Sequence, residues 1–152
     1  MKYVHTNIIA KDWKSLAQFY EEVFECQRVL PERKLSGEWL DIGTGVQDAE
    51  LEGIHLRLPG YGDQGPTLEI FSYSNSLKKP TPIEANREGY GHLAFQVDDI
   101  EAITKKLLEN GGSKLGETTT KEVEGLGELS FIYLRDPEGN IIELQHWRKL
   151  AP

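Results

Sequence analysis

Two stretches of the chain, YVHTNIIAKDW from residue 3 and YGHLAFQVDDI from residue 90, each place a histidine seven residues ahead of an aspartate suited to open a helix. At one constant offset Tyr3 meets Tyr90, His5 meets His92, Asp12 meets Asp99, Leu16 meets Ile103 and Tyr20 meets Leu107. The chain therefore reads as one strand–helix unit used twice, and that duplication restricts the folds open to it more than any other feature.

In the first copy, residues 3–10 alternate as a strand does. Asp12 suits an N-cap, and Trp13, Leu16, Ala17, Tyr20, Val23 and Phe24 recur at helical spacing on one face. Pro31 and Gly37 punctuate the chain ahead of three strand candidates, Glu38–Ile42, Gly53–Leu58 and Thr67–Tyr73. The stretch PGYGDQGP between the last two is a loop. In the second copy, Tyr90–Val97 reads as a strand, and Asp98 or Asp99 caps a helix carrying Ile100, Ile103, Leu107 and Leu108. Asp98 with Glu101 fits a capping box. Asn110, Gly111 and Gly112 end the helix. Strands are expected near Leu115–Thr120, at Leu129–Leu134 and at Ile141–Trp147, with a turn at Asp136–Asn140 before the last. The expected fold class is α+β, two βαβββ modules in tandem within a single domain over 1–152. Module one covers about 1–74, a polar, proline-containing linker about 75–88, and module two about 89–148.

Strand alternation sorts the side chains by face. His5 lies with Tyr3 and Asn7, His92 with Tyr90 and Ala94, Glu69 with Thr67 and Phe71, and Glu143 with Ile141 and Gln145. Each of these His and Glu residues sits on the face turned away from the helix-packed core. If both modules curl their free faces inward, the four groups meet in one cleft. Two imidazoles and two carboxylates form a nitrogen/oxygen donor set suited to one divalent ion, with Ni, Co, Zn, Mn and Fe as candidates. A dication would also offset the cost of burying two carboxylates. Taken singly, a strand histidine or glutamate is more often a hydrogen-bonded or solvated structural residue; the placement at repeat-related positions favours ligands. His146 falls on the core side of its strand and His55 has no partner in the repeat, so both read as structural or surface residues. Arg57, Arg135 and Trp147 are candidates to line the cleft.

Composition narrows the partners. A net charge of −8 argues against nucleic acid or an anionic membrane, which need a basic footprint. Cys26 is the single cysteine, so neither an internal disulfide nor a cysteine-based zinc site is available. The N-terminus lacks the apolar run of a signal peptide, and no stretch approaches the roughly 20 apolar residues of a membrane span. The expectation is a soluble, cytoplasmic protein acting on a small molecule.

The stretches VHTNIIAKDWKSLAQFYEEVFEC, GHLAFQVDDIEAITKKLLENGG and YLRDPEGNIIEL resemble the vicinal oxygen chelate superfamily, which includes glyoxalase I, methylmalonyl-CoA epimerase, extradiol dioxygenases and bleomycin-resistance proteins. The resemblance implies a cupped, incomplete mixed β-barrel of paired βαβββ modules with helices outside, and a homodimer. His5, Glu69, His92 and Glu143 match the four metal ligands of bacterial-type glyoxalase I. Epimerases usually carry Gln where this chain has Glu69. Extradiol dioxygenases carry a further His, outside the ligand set, upstream of the tyrosine matching Tyr133, and residues 118–132 contain none.

The implied activity is that of a lactoylglutathione lyase-like metalloenzyme, a lyase or isomerase that stabilises an enediolate or enolate of a small carbonyl substrate. Glu143 is its first candidate base and Glu69 its second. Lys11, Lys14, Arg33 and Arg57 are the candidates to hold a substrate carboxylate. The alternatives are a non-catalytic small-molecule binding or resistance-type protein, with Trp39, Phe71, Tyr133 or Trp147 as stacking walls, and, less favoured, an extradiol-type dioxygenase.

Overall fold

A computed structural model describes residues 1–149. The chain divides into two compact units, the first Met1–Lys79 and the second from Pro80 onward.

The first unit is built around a four-stranded sheet in the order β1-β4-β3-β2, from β1 (His5–Ile9), β2 (Gln27–Ser36), β3 (Glu50–Arg57) and β4 (Thr67–Tyr73). Helix α1 (Trp13–Phe24) crosses one face. Its entry follows the sequence pattern: the Asp12 carboxylate accepts from the amides of Lys14 and Ser15, leaving fewer orphan donors in the first turn. At the other end Glu25 takes a left-handed conformation, φ 58°, and its N–H returns to the Glu21 and Tyr20 carbonyls. The helix buries Leu16, Tyr20 and Val23, and Ile54, Leu56, Leu68 and Ile70 are buried on the sheet. Each such side chain contributes about 1.5–3 kcal/mol through loss of apolar surface to water. With one face of the sheet committed to this core, the odd-numbered positions of β1, β3 and β4 are left on the other.

Two expectations fail in this unit. Glu38–Ile42 is the start of a short helix, α2 (Glu38–Thr44), instead of a strand. The missing strand is β2, which contains Pro31. Proline has no N–H to give to a ladder, but β2 is the sheet's edge and its pairing with β3 is interrupted between Val29 and Arg33, where Pro31 lies. With that edge occupied, Glu38–Thr44 has no strand to pair with. It turns as a helix bracketed by Gly37 and Gly45 and buries only Leu40. Leu40 joins Ala49, Leu51 and Phe71 in a small apolar cluster, to which Leu35, Val46 and Tyr73 add partly buried surface.

The second unit repeats the plan with β5 (Leu93–Gln96), α3 (Ile100–Glu109), β6 (Ser113–Lys114), β7 (Thr119–Val123), β8 (Gly127–Arg135) and β9 (Ile141–Arg148). The sheet order is β5-β9-β8-β6, and β7 also pairs with β8. β6 and β7 run along one edge of β8 as an interrupted counterpart of β2, in place of a single strand at Leu115–Thr120. The α3 cap is Asp99, accepting from the Ala102 amide, rather than an Asp98–Glu101 box. Between residues 74 and 88 there is neither helix nor strand. No helix among the described residues is long and apolar enough to cross a membrane.

Candidate metal-binding and substrate-binding site

The two units place their acidic side chains by the same register. In the first, β1 runs parallel to β4 and Asn7 stands opposite Glu69. In the second, β5 runs parallel to β9 and Ala94 stands opposite Glu143. Asn7 and Ala94 each lie two residues after the repeated histidine; His5 opens β1, whereas His92 directly precedes β5, which begins at Leu93 and ends at Gln96 instead of spanning Tyr90–Val97. His5 Nδ1 is 3.2 Å from Glu69 Oε1, and His92 Nε2 is 2.8 Å from Glu143 Oε2. The duplication seen in the residues is thus carried into side-chain contact, pair by pair.

The turn before β9 explains how Glu143 is aimed. Asp136 is buried, and its Oδ1 accepts from the amides of Glu138 and Asn140 while its Oδ2 accepts from Asn140 Nδ2. Gly139 supplies the left-handed residue, φ 82°, that this turn needs. The carboxylate closes the loop on itself and starts β9 in a fixed register against β8, with Glu143 opposite Tyr133.

The surroundings of the two carboxylates differ. Glu69 is buried, and in addition to His5 its Oε1 lies 3.2 Å from His55 Nε2. Its Oε2 accepts from Asn7 Nδ2 at 3.2 Å. Glu143 touches His92, whose ring lies 4.9 Å from that of Tyr133, centre to centre. Burial and, after it, the negative charge of Glu143 push the Tyr133 hydroxyl above its ordinary pKa, so it stays a proton-bearing group. The His55 pKa is held below its ordinary value, chiefly by burial; the Glu69 charge works against that, and the positive charge of Arg33 adds to it.

His55, expected to be a structural or surface residue with no partner in the repeat, is partly exposed and packs against Glu69. The cross-strand pairs His55–Glu69 and Tyr133–Glu143 are equivalent in register, so its counterpart is a tyrosine. His146, by contrast, does have a structural role: its Nδ1 meets the Val97 carbonyl at 2.8 Å. Arg57 is paired with Asp63 at 3.2 Å, and Arg135 Nη2 donates to the Ile83 carbonyl at 2.9 Å. Trp147 shares the face of Glu143 and donates to Gln145.

On the free face of the first unit, a cavity of about 340 Å³ opens above the sheet. His5, Asn7, His55 and Glu69 form its polar end. Leu35, Leu51, Phe71 and Tyr73 form an apolar wall, and Arg33 stands beside it. Trp39, expected as a stacking wall, is exposed on α2 and does not line this cavity.

The donor set suits a divalent ion. Ligands about 2.1 Å from a metal lie about 3.0–3.4 Å apart between right-angled and tetrahedral geometry. The His–Glu separations of 3.2 and 2.8 Å are of that order, so each pair is suited to give two donors to one ion. Among the described residues no group of three or more His, Cys, Asp or Glu is disposed to hold an ion. Each unit offers a bidentate pair.

The sequence profile of the Glyoxalase/Bleomycin resistance protein/Dioxygenase superfamily matches residues 2–144. The lactoylglutathione lyase of Schizosaccharomyces pombe is 28% identical over 169 aligned positions, which cover 99% of this chain and 49% of that protein. Glyoxalase 1 of Caenorhabditis elegans is 27% identical over 96 positions, 62% of this chain and 31% of that protein. The chain thus spans about half, or less, of the length of these curated relatives. A glyoxalase family protein from Bacillus cereus shares the fold at a TM-score of 0.75 and 22% identity, covering 97% of this chain and 93% of that one. A glyoxalase I variant from Zea mays does so at 0.64 and 20% identity, covering 99% of this chain and 46% of that one. With a match over nearly its whole length and two βαβββ units in place, the chain belongs to the Glyoxalase/Bleomycin resistance protein/Dioxygenase superfamily.

Proposed function

We propose that the chain is a metal-dependent lyase or isomerase of the glyoxalase type, holding one divalent ion through His5, Glu69, His92 and Glu143 and acting on a small carbonyl substrate. The observation that carries this reading is the recurrence of a His–Glu contact between repeat-related residues in both units. The likeness to two curated glyoxalases supports it. When bound, the ion supplies Lewis acidity that draws charge from the substrate's oxygens and makes the adjoining C–H acidic.

The two carboxylates divide the remaining work by their surroundings. Glu69 is contacted by His5, His55 and Asn7, which hold it in place and lower its freedom to swing. Glu143 meets His92 alone among these polar contacts and faces the proton-bearing Tyr133. Glu143 is therefore the base that takes the proton from the substrate carbon and returns it, provided that carbon comes within hydrogen-bond reach. A homodimer is the assembly we propose, with each ion held within one chain or shared between two.

The test is elemental analysis of protein purified without chelator, paired with turnover of the methylglyoxal–glutathione hemithioacetal in the presence of nickel or zinc. About one ion per chain, lost in His5→Ala and in His92→Ala, is the expected result. Protein that binds none of the candidate ions at micromolar concentration overturns the metal-dependent reading. Metal-loaded protein without turnover removes the hemithioacetal as substrate and keeps the chemistry.

A further inference from the structure

Arg33 lies on β2 opposite Gly53 of β3, and Gly53 lies opposite Phe71 of β4. The glycine has no side chain, and the Phe71 ring takes its place: a Cβ built on Gly53 would stand 2.3 Å from the Phe71 ring. Arg33 and Phe71 thus line one cavity from either side of a residue that has no side chain. The next row toward α2 is Leu35, Leu51 and Tyr73; the next row the other way holds His55, Glu69 and Asn7.

The other candidates for a substrate carboxylate have different engagements. Arg57 is paired with Asp63. Lys14 sits over the Trp13 ring on α1, and neither Lys11 nor Lys14 lines the cavity. Arg28 and Arg148 are also committed, to Glu21 with Glu32 and to Glu128. Arg33 is half-buried, lines the cavity and gives one Nη1 hydrogen to the Pro31 carbonyl. Among the described residues no carboxylate lies within ion-pair distance of it. In a chain of net charge −8, a half-buried guanidinium facing a cavity without an acidic partner is a receptor for an anion.

We propose that Arg33 selects the substrate: it binds the carboxylate of a carbonyl compound whose flat body lies on the Phe71 ring and whose carbonyl reaches the polar end at His55 and Glu69. The inference rests on the lyase reading for the role of that end. Successive rows on one face of a strand are about 7 Å apart. A substrate that spans from the Arg33 row to the His55–Glu69 row carries its carboxylate and carbonyl apart, on a ring or a short chain. The cavity of about 340 Å³ holds a single-ring molecule with room for water.

Para-acetylbenzoate carries both groups across one ring, and para-acetylbenzamide is its neutral counterpart of nearly the same shape. Binding of each to the full chain is measured by calorimetry, once after chelator treatment and once with zinc added. The expected result is acid binding about tenfold tighter than amide in both conditions, as charge-assisted hydrogen bonding predicts. Arg33→Gln abolishes that preference with the circular dichroism unchanged, and Arg33→Lys keeps part of it. Equal affinity for acid and amide in the unaltered chain, or a preference that survives Arg33→Gln, overturns the inference. A chain that takes up no ion yet prefers the acid through Arg33 refutes the lyase reading and leaves this one standing. A chain that holds the ion and shows no preference does the reverse.

Discussion

His55 on β3 stands directly across from Glu69 on β4, with its Nε2 3.2 Å from the carboxylate oxygen that His5 also approaches. Two imidazoles from strands on either side of β4 thus address one buried carboxylate, and Asn7 takes its other oxygen. A carboxylate held in this way is oriented before any ligand arrives, as the metal-binding role proposed for Glu69 requires.

Replacing His55 by alanine removes one of three contacts on Glu69. Affinity for zinc or nickel is expected to fall about tenfold or more. His55→Gln, which keeps an N–H near the position of Nε2, should recover most of the loss. Titration of chelator-stripped protein reads both; an unchanged affinity in His55→Ala would show that His5 and Asn7 suffice.

Gly53→Ala should destabilise the first unit. The added Cβ would meet the Ile70 carbonyl oxygen at 2.2 Å and the Phe71 ring at 2.3 Å, and the first of these is backbone. Overpacking of this kind costs about 1–3 kcal/mol. Urea unfolding measures it; a midpoint equal to that of the parent chain would mean that β3 and β4 move apart at little cost.

Asp12→Ala should cost about 1 kcal/mol through loss of the α1 cap. The Asp12 carboxyl is held below its ordinary pKa, first by the hydrogen bond from the Ser15 hydroxyl and then by the Ser15 amide. Folding therefore favours the charged form, and the contribution is complete above the unfolded value near 3.8 and is lost as pH falls through the folded one. The difference in Tm between parent and variant should shrink as acid is added below about pH 4. A difference that stays constant down to pH 2 would contradict it.

Cys26 is 3% exposed, and burial, followed by the Glu21 charge, pushes its thiol up to about 12. Only about one molecule in ten thousand then carries the thiolate at pH 8. A disulfide reagent should leave Cys26 unmodified in native protein and react fully in denaturant. Prompt modification of the native chain would place the thiol in contact with water.

Elements whose pattern and caps agree were readable from the residues. Asp12 and Asp99 cap helices with a single apolar stripe, and Tyr133, Ile141 and Glu143 lie on the strands that their alternation indicates. Glu38–Ile42 misled because EWLDI alternates like a strand, and Gln27–Ser36 because Pro31 argues against one. In both cases the deciding fact was the place at the edge of β3, which only one segment can fill.

By itself, then, the sequence determined the duplication and the strand faces of His5, Glu69 and Glu143, since both follow from short-range periodicity. Tertiary structure alone decided who faces whom: His55 opposite Glu69, Tyr133 opposite Glu143, and Arg33 beside Phe71 across a glycine. Those relationships depend on the pairing register of strands distant in sequence, which turns, bulges and the packed core set together and which no local pattern encodes.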